Sequence, residues 1–168
     1  MDLKPTALYG EVWVAAQGVK AALTKPASWV DHGISGAWEF SDNTDDTVVA
    51  SVRIPFRMNR KVAPTFNIGW CADGISPGNG KWQIEYLWMA LNKDTTVAAQ
   101  ATLTVIEAAS AISNGMILST VTLEKPDEDD VCLDLRIKRM AADTEDTIAA
   151  VTFLKGMCAR FSLLDWER

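Results

Sequence analysis

The sequence has too little histidine, cysteine and positive charge for several common kinds of site. Of 168 residues one is histidine and three are cysteine, so histidine-based acid–base catalysis has little to work with. Cys71, Cys132 and Cys158 are odd in number and widely spaced, which excludes a closed disulfide framework and indicates folding in a reducing compartment. We therefore expect no bound metal and no cofactor.

The charge balance and the lack of a long apolar run exclude two more classes of partner. With 16 basic and 22 acidic side chains the net charge is -6, and no basic patch exists for a nucleic acid backbone. The first thirty residues contain Asp2, Glu11 and several glycines and prolines, unlike a secretory leader. We expect neither nucleic acid nor membrane as a partner.

Apolar residues make up 48% of the chain, which is enough for one packed core. After Gly36 the apolar residues recur with a period of two, which is typical of strands that bury one face. This pattern predicts an all-β, jelly-roll-like two-sheet sandwich at 36–168. The predicted strands are 46–55, 65–72, 81–91, 95–111, 116–123, 131–139 and 147–163, of which 95–111 is ambiguous between strand and short helix.

Residues 1–35 are broken by glycine and proline and predict an extended N-terminal arm, with a turn or two of helix at 17–25. The arm carries much apolar surface for a free tail, so we expect it to dock on a partner. Its candidate anchors are Leu8, Tyr9, Val12, Trp13 and Trp29.

The strand at 81–91 is apolar on both faces, which indicates a cover on each side. One face holds Trp82, Tyr86 and Trp88, and aligns with Trp70 on another strand. These rings form a sugar-stacking platform if exposed and the core if buried, and their alternation with isoleucine favours the core. The other face ends in Leu87, Met89 and Leu91, which predicts the interface of a homotrimer.

Several polar constellations are weak candidates for chemistry. Asp31, His32 and Ser35 contain the residue types of a hydrolase triad but lack the exposed nucleophile turn, so a polar loop is favoured. His32 with the three cysteines lacks the paired spacing of a zinc site. Glu85 and Asp134 are a carboxylate pair of the kind that cleaves glycosides, although their spacing does not test this. We therefore expect no enzyme activity.

Two acidic segments, 42–46 and 127–130, are candidates for calcium, although a solvated turn is the simpler interpretation. A basic cluster precedes Pro64 and either docks an acidic partner or protects a sheet edge from aggregation. It consists of Arg53, Arg57, Arg60 and Lys61.

Five segments within about residues 36–163 have a familiar order: 38–40, 45–55, 66–70, 81–86 and 143–156. In this order they resemble a family of small structural proteins of tailed bacteriophages. The resemblance implies a non-enzymatic jelly-roll component of the virion, commonly trimeric, that is assembled in the host cytoplasm.

Two functions follow from this resemblance. The first is a capsid decoration (cement) protein that binds the major capsid protein, or other virion proteins, and stabilises the head shell. The alternative is a receptor- or glycan-binding module of a head or tail fibre. In that case the ligand loop lies at 73–80, with Asp73, Ser76 and Asn79 as its candidate residues.

Overall fold

The computed structural model describes residues 8–94 and 96–164, which form a sandwich of two antiparallel β-sheets. The first five strands are β1 (Tyr9–Ala15), β2 (Lys20–Ala21), β3 (Ser28–His32), β4 (Ser35–Phe40) and β5 (Thr47–Arg53). The other six are β6 (Thr65–Ala72), β7 (Asn79–Ala90), β8 (Ala101–Ala108), β9 (Ile117–Thr122), β10 (Asp130–Arg139) and β11 (Thr152–Ser162). A short 3-10 helix, Ala16–Gly18, joins β1 to β2. None of the described helical segments has the length and apolarity needed to cross a membrane.

Each sheet follows a simple strand order. Sheet A runs β3-β4-β11-β6-β9, and β1 pairs with β11 beside this path. Sheet B runs β2-β5-β10-β7-β8. The pairing of β11 with β6 changes register between Leu154 and Gly156, and this irregularity separates the part of β11 that pairs with β4 from the part that pairs with β1.

The core lies between the sheets and is built from the predicted alternation. Trp70, Trp82 and Tyr86 are fully buried and Trp88 is almost so, which confirms that these rings form the core. Trp70 and Trp82 contact each other with ring centroids 5.6 Å apart. Because these aromatic side chains pack inward, none of them offers a surface for a ligand.

A buried ion pair closes one end of the sandwich. Arg139 and Asp146 have side chains that are 0% and 1% exposed, and the guanidinium Nη2 donates to Asp146 Oδ1 at 2.9 Å. Nε donates to the second carboxylate oxygen, and the remaining donors reach the carbonyls of Ser41, Ile148 and Ala150. This bidentate pair therefore ties the loops around 41 and 146–150 to the end of β10.

The structure confirms the all-β sandwich and most predicted strands. The ambiguous segment 95–111 contains strand β8. The segment 147–163, predicted as two alternating pieces with a bend or bulge at Lys155-Gly156, contains one long strand, β11, whose pairing with β6 is irregular between Leu154 and Gly156. The helix predicted at 17–25 is wrong, because Gly18 limits the helical turn to three residues and β2 follows it.

The predicted arm is corrected for its described residues, 8–35. Seven residues of β1 pair with β11 from Tyr9↔Ser162 to Ala15↔Gly156, and β3 pairs with β4. Val12 packs against the core, so it faces inward and cannot dock on a partner. Trp29 packs edge-to-face on Trp38, with ring centroids 5.4 Å apart. β1 belongs to the sandwich because it pairs with the part of β11 from Gly156 to Ser162, which β4 does not reach.

Candidate binding groove on sheet B

The outer face of sheet B carries two adjoining depressions of about 480 Å³ and 560 Å³. They share Val49, Glu85 and Arg136, so they form one continuous depression, which we call the groove. It crosses β5, β10 and β7, three neighbouring strands of the sheet. The groove therefore rests on rigid sheet and not on loops alone.

Strand register builds the groove floor in two rows of side chains. Ser51, Asp134 and Leu87 lie opposite one another on β5, β10 and β7 and form the first row. Val49, Arg136 and Glu85 occupy the same strands two residues away and form the second row. Side chains directly opposite on neighbouring strands are close enough to interact. Each row thus contains one polar pair and one aliphatic side chain.

Both polar pairs are hydrogen-bonded. The Ser51 hydroxyl donates to Asp134 Oδ1 at 2.6 Å, and Arg136 Nη1 donates to Glu85 Oε2 at 2.8 Å. The aliphatic side chains, Leu87 and Val49, stand at opposite ends of their rows. The floor therefore offers fixed hydrogen-bonding groups between two apolar corners.

Two chain segments form the walls. On the β5 side lie the residues around β2, from Gly18 to Lys25. On the β7 side lie Val97 and Ala99 of the β7–β8 connection, which is anchored where the Gln100 amide donates to the Tyr86 carbonyl at 2.8 Å. A ligand in the groove is thus flanked on both sides.

The groove is nearly balanced in charge although the protein is acidic. Its basic lining residues are Lys20, Lys25, Arg136 and Lys138, and its acidic ones are Asp45, Glu85 and Asp134. Because basic donors and acidic acceptors are both present, the groove suits a neutral ligand with many hydroxyl groups better than a strongly charged one.

Glu85 and Asp134, considered from sequence as a glycosidase pair, both line the groove. They occupy diagonal positions on β7 and β10, because Glu85 lies opposite Arg136 and Asp134 lies opposite Leu87. Each is already hydrogen-bonded to a neighbour. The arrangement supplies two carboxylates for ligand hydroxyls.

Cys132 lies beside Asp134 and remains a thiol. Its burial and, to a lesser extent, the charge of Asp134 raise the pKa of Cys132 to about 11.

The loop at 73–80 lies at one end of the sandwich and does not line the groove. The Asp73 amide donates to the Val151 carbonyl. The Thr147 amide donates to the Asn79 carbonyl, and the Asn79 amide donates to the Thr147 hydroxyl. Asn114 binds Gly74 through both its backbone and its side chain. Ser76 lies between these anchors. The structure therefore separates Asp73, Ser76 and Asn79 from the groove on sheet B.

The three residues predicted for a trimer interface do not form one exposed surface. Met89 is buried within the single chain, Leu87 lines the groove, and Leu91 is exposed. The argument for a cover from another copy thus rests on Leu91 alone, and the homotrimer stays a prediction.

The weaker polar candidates have structural roles. His32 and Ser35 pair across the β3–β4 turn, and the His32 ring packs on Phe153 at 4.1 Å. Arg60 donates to the carbonyls of Asp127 and Asp130, which ties the second acidic segment to the basic loop. Among the described residues no group of three or more histidine, cysteine or acidic side chains converges as a metal site would require.

The sequence singled out three of the groove residues, Glu85 and Asp134 as a carboxylate pair and Leu87 as an interface residue, and the others only as the outward face of alternating strands. Ser51, Asp134 and Arg136 stood on that face, and no sequence signal placed them in adjacent rows with Glu85. Strand pairing joins residues 83 positions apart, Ser51 and Asp134, and such a partner is not encoded locally.

Comparison with known proteins finds the same sandwich fold in other solved structures. No protein-family model and no curated protein matches the sequence. Among solved structures, the chain is similar to the CBM35 of Cellvibrio japonicus Abf62, with a TM-score of 0.51 and 11% identity over 92% of this chain and 99% of that one.

It is also similar to the CBM36-1 domain of a multidomain xylanase from the hindgut metagenome of Trinervitermes trinervoides. That match has a TM-score of 0.50 and 8% identity over 89% of this chain and 96% of that one. A third match, in the Gap123 glycosylation-associated protein complex of Streptococcus agalactiae, has a TM-score of 0.52 and 9% identity and covers 92% of this chain but 26% of that one. At identities this low, the structural matches establish a shared jelly-roll sandwich fold and nothing further.

Proposed function

We propose that this protein is a non-catalytic carbohydrate-binding domain, and that a glycan lies in the groove on sheet B. The observation that carries the proposal is the two-row floor, in which hydrogen-bonded polar pairs alternate with Leu87 and Val49. A sugar ring presents hydroxyl groups around its edge and C–H groups on its faces. The groove matches both kinds of surface on a fold that carbohydrate-binding modules share.

Preformed hydrogen bonds favour binding on this floor. Arg136 and Asp134 are held by Glu85 and Ser51, so little side-chain freedom is lost when a ligand binds. Sugar hydroxyls both donate and accept, and they can therefore join each polar pair without leaving a charge unpartnered.

Affinity electrophoresis of the full chain tests the proposal, in gels that contain xylan, hydroxyethyl cellulose or β-galactan. We expect retardation by at least one of these polysaccharides. Arg136→Ala should weaken the retarding interaction about tenfold or more, because it removes a central polar group of the floor. Lys61→Ala removes the same charge on an exposed loop outside the groove and is the matched control.

Two outcomes would overturn this proposal. Equal retardation of Arg136→Ala and wild type would place binding outside the groove. If the wild-type protein interacts with none of the three glycans, the carbohydrate-binding proposal is wrong. Release of reducing sugar that is lost in both Glu85→Gln and Asp134→Asn would instead identify the diagonal carboxylates as a glycosidase pair.

Attachment to a phage capsid remains the prediction of the sequence resemblance. Binding of a host receptor glycan by a fibre is compatible with the proposed groove, because the same chemistry would recognise it. The polysaccharide panel tests the chemistry of glycan binding and does not test whether the protein belongs to a virion.

A further inference from the structure

A second surface with exposed aromatic rings lies on the opposite sheet. Tyr9 and Trp13 project from the outer face of β1 and are 52% and 61% exposed. They stand four residues apart on one strand, which places them about 13 Å from each other. With Glu11 and Arg160 they form what we call the β1 platform.

Contacts within the platform hold the rings in place. Trp13 Nε1 donates to Glu11 Oε2 at 3.1 Å, and the Arg160 guanidinium lies over the Tyr9 ring at 4.1 Å from its centroid. Glu11 and Arg160 lie opposite each other on β1 and β11, with Oε1 and Nε 3.9 Å apart. One connected set of polar contacts thus links two exposed rings.

One row of outward positions continues from Trp13 across sheet A through the buried Cys158. Cys158, opposite Trp13, is followed on β6 by Asn67 and on β9 by Thr120. The Thr120 hydroxyl donates to Asn67 Oδ1 at 2.6 Å. Hydroxyl and amide groups therefore lie on the same outer face as the two rings.

We infer that the β1 platform is a second carbohydrate-binding surface, which packs the C–H faces of sugar rings on Trp13 and Tyr9. This inference rests on the proposed function of the groove. The charged pair Glu11–Arg160 interrupts the apolar surface between the rings, whereas a protein interface buries a contiguous apolar centre. A glycan, which alternates C–H faces with hydroxyl groups, matches this interrupted pattern.

Two binding surfaces on opposite sheets give the protein a property that one groove does not. The groove is on the outer face of sheet B and the platform on the outer face of sheet A, with both sheets and the core between them. One protein molecule can then hold two glycan chains at once, and binding to a surface of packed chains gains from the second contact.

The test compares wild type with Trp13→Ala on the glycan of the three-polysaccharide panel that retards the protein. We expect Trp13→Ala to bind the insoluble form of that glycan about tenfold more weakly and to lose the ability to cross-link and precipitate its soluble form. Retardation through the groove should remain. Trp13→Tyr should restore most of the loss because it keeps a ring at this position.

Phe56→Ala is the matched control, since Phe56 is a fully exposed ring in the loop after β5 and is not part of the platform. If Trp13→Ala precipitates and binds the insoluble glycan as wild type does, the platform inference is overturned while the groove proposal stands. If Arg136→Ala loses both retardation and cross-linking, and Trp13→Ala loses cross-linking but keeps retardation, both stand. If wild type binds none of the glycans, both fall. Thermal unfolding of each variant excludes loss of fold.

Discussion

At the scale of single residues, the buried ion pair of Arg139 and Asp146 is the contact whose loss should cost most. Arg139→Met leaves a carboxylate that is 1% exposed without its partner, and removal of one member of a buried pair typically costs about 3–5 kcal/mol. Arg136→Met makes the same change in an ion pair whose arginine is more than half exposed, for which we expect about 1 kcal/mol or less.

Urea unfolding of both variants measures this difference in the free energy of unfolding. A similar loss in Arg139→Met and Arg136→Met would show that the buried pair does not hold the loops as described.

The ion cluster of Lys81 predicts acid sensitivity. Lys81 Nζ donates to Asp143 and Glu145 at 2.7 Å each, and these hydrogen bonds raise the pKa of Lys81. The hydrogen bond from Lys81, and then one from the Glu145 amide, lower the pKa of Asp143 below 3.8. A lowered folded pKa contributes stability above the unfolded value, and this stability is lost as the pH falls through the folded value.

Asp143→Asn should therefore show a weaker decline of the free energy of unfolding below about pH 4 than wild type does. Urea titrations at neutral pH and at stepwise lower pH values measure it. Parallel pH profiles for the two proteins would contradict the assignment.

At the scale of secondary-structure elements, β1 is the segment for which structure and sequence differ most. Its backbone pairs with seven residues of β11, and Val12 and Val14 pack against the core. Deletion of residues 2–28 would remove β1 and β2 and should leave a chain without a cooperative unfolding transition.

Val12→Ser should lower the free energy of unfolding by about 1–3 kcal/mol, whereas outward-facing Trp13→Ser should change it little.

Circular dichroism during heating checks all three variants. A truncated protein that unfolds cooperatively near the wild-type temperature would restore the independent arm.

Most strands were predictable from a period of two, including β7 with its apolar residues on both faces, whereas β1 was not. β5 and β10 alternate Val48, Val52 and Leu133 inward with Ser51 and other polar residues outward, so their period of two was plain. In β1 the outward positions hold Tyr9 and Trp13, which hides the alternation. Strand register is the other missing information, because it alone brings Ser51 to Asp134 and Glu85 to Arg136.

At the scale of the whole molecule, the described chain is a sandwich with a polar groove on one outer face and aromatic rings on the other. The homotrimer predicted from sequence is tested by light scattering, which would give three times the 18.4 kDa of one chain. Leu91→Asp should reduce that mass to one chain if Leu91 lies in the interface, because it places a charge in an apolar contact. A wild-type protein that scatters as one chain would end the trimer prediction.

Chemical-shift mapping tests the central claim most directly. The full, isotope-labelled chain is titrated with oligosaccharides of xylose, glucose or galactose while its amide spectrum is recorded. If the groove binds glycan, the largest changes fall on amides of 49–51, 85–87 and 134–136, the groove segments of three neighbouring strands. Changes confined to the loop at 73–80, or an unchanged spectrum with every oligosaccharide at millimolar concentration, would contradict the groove as the binding site.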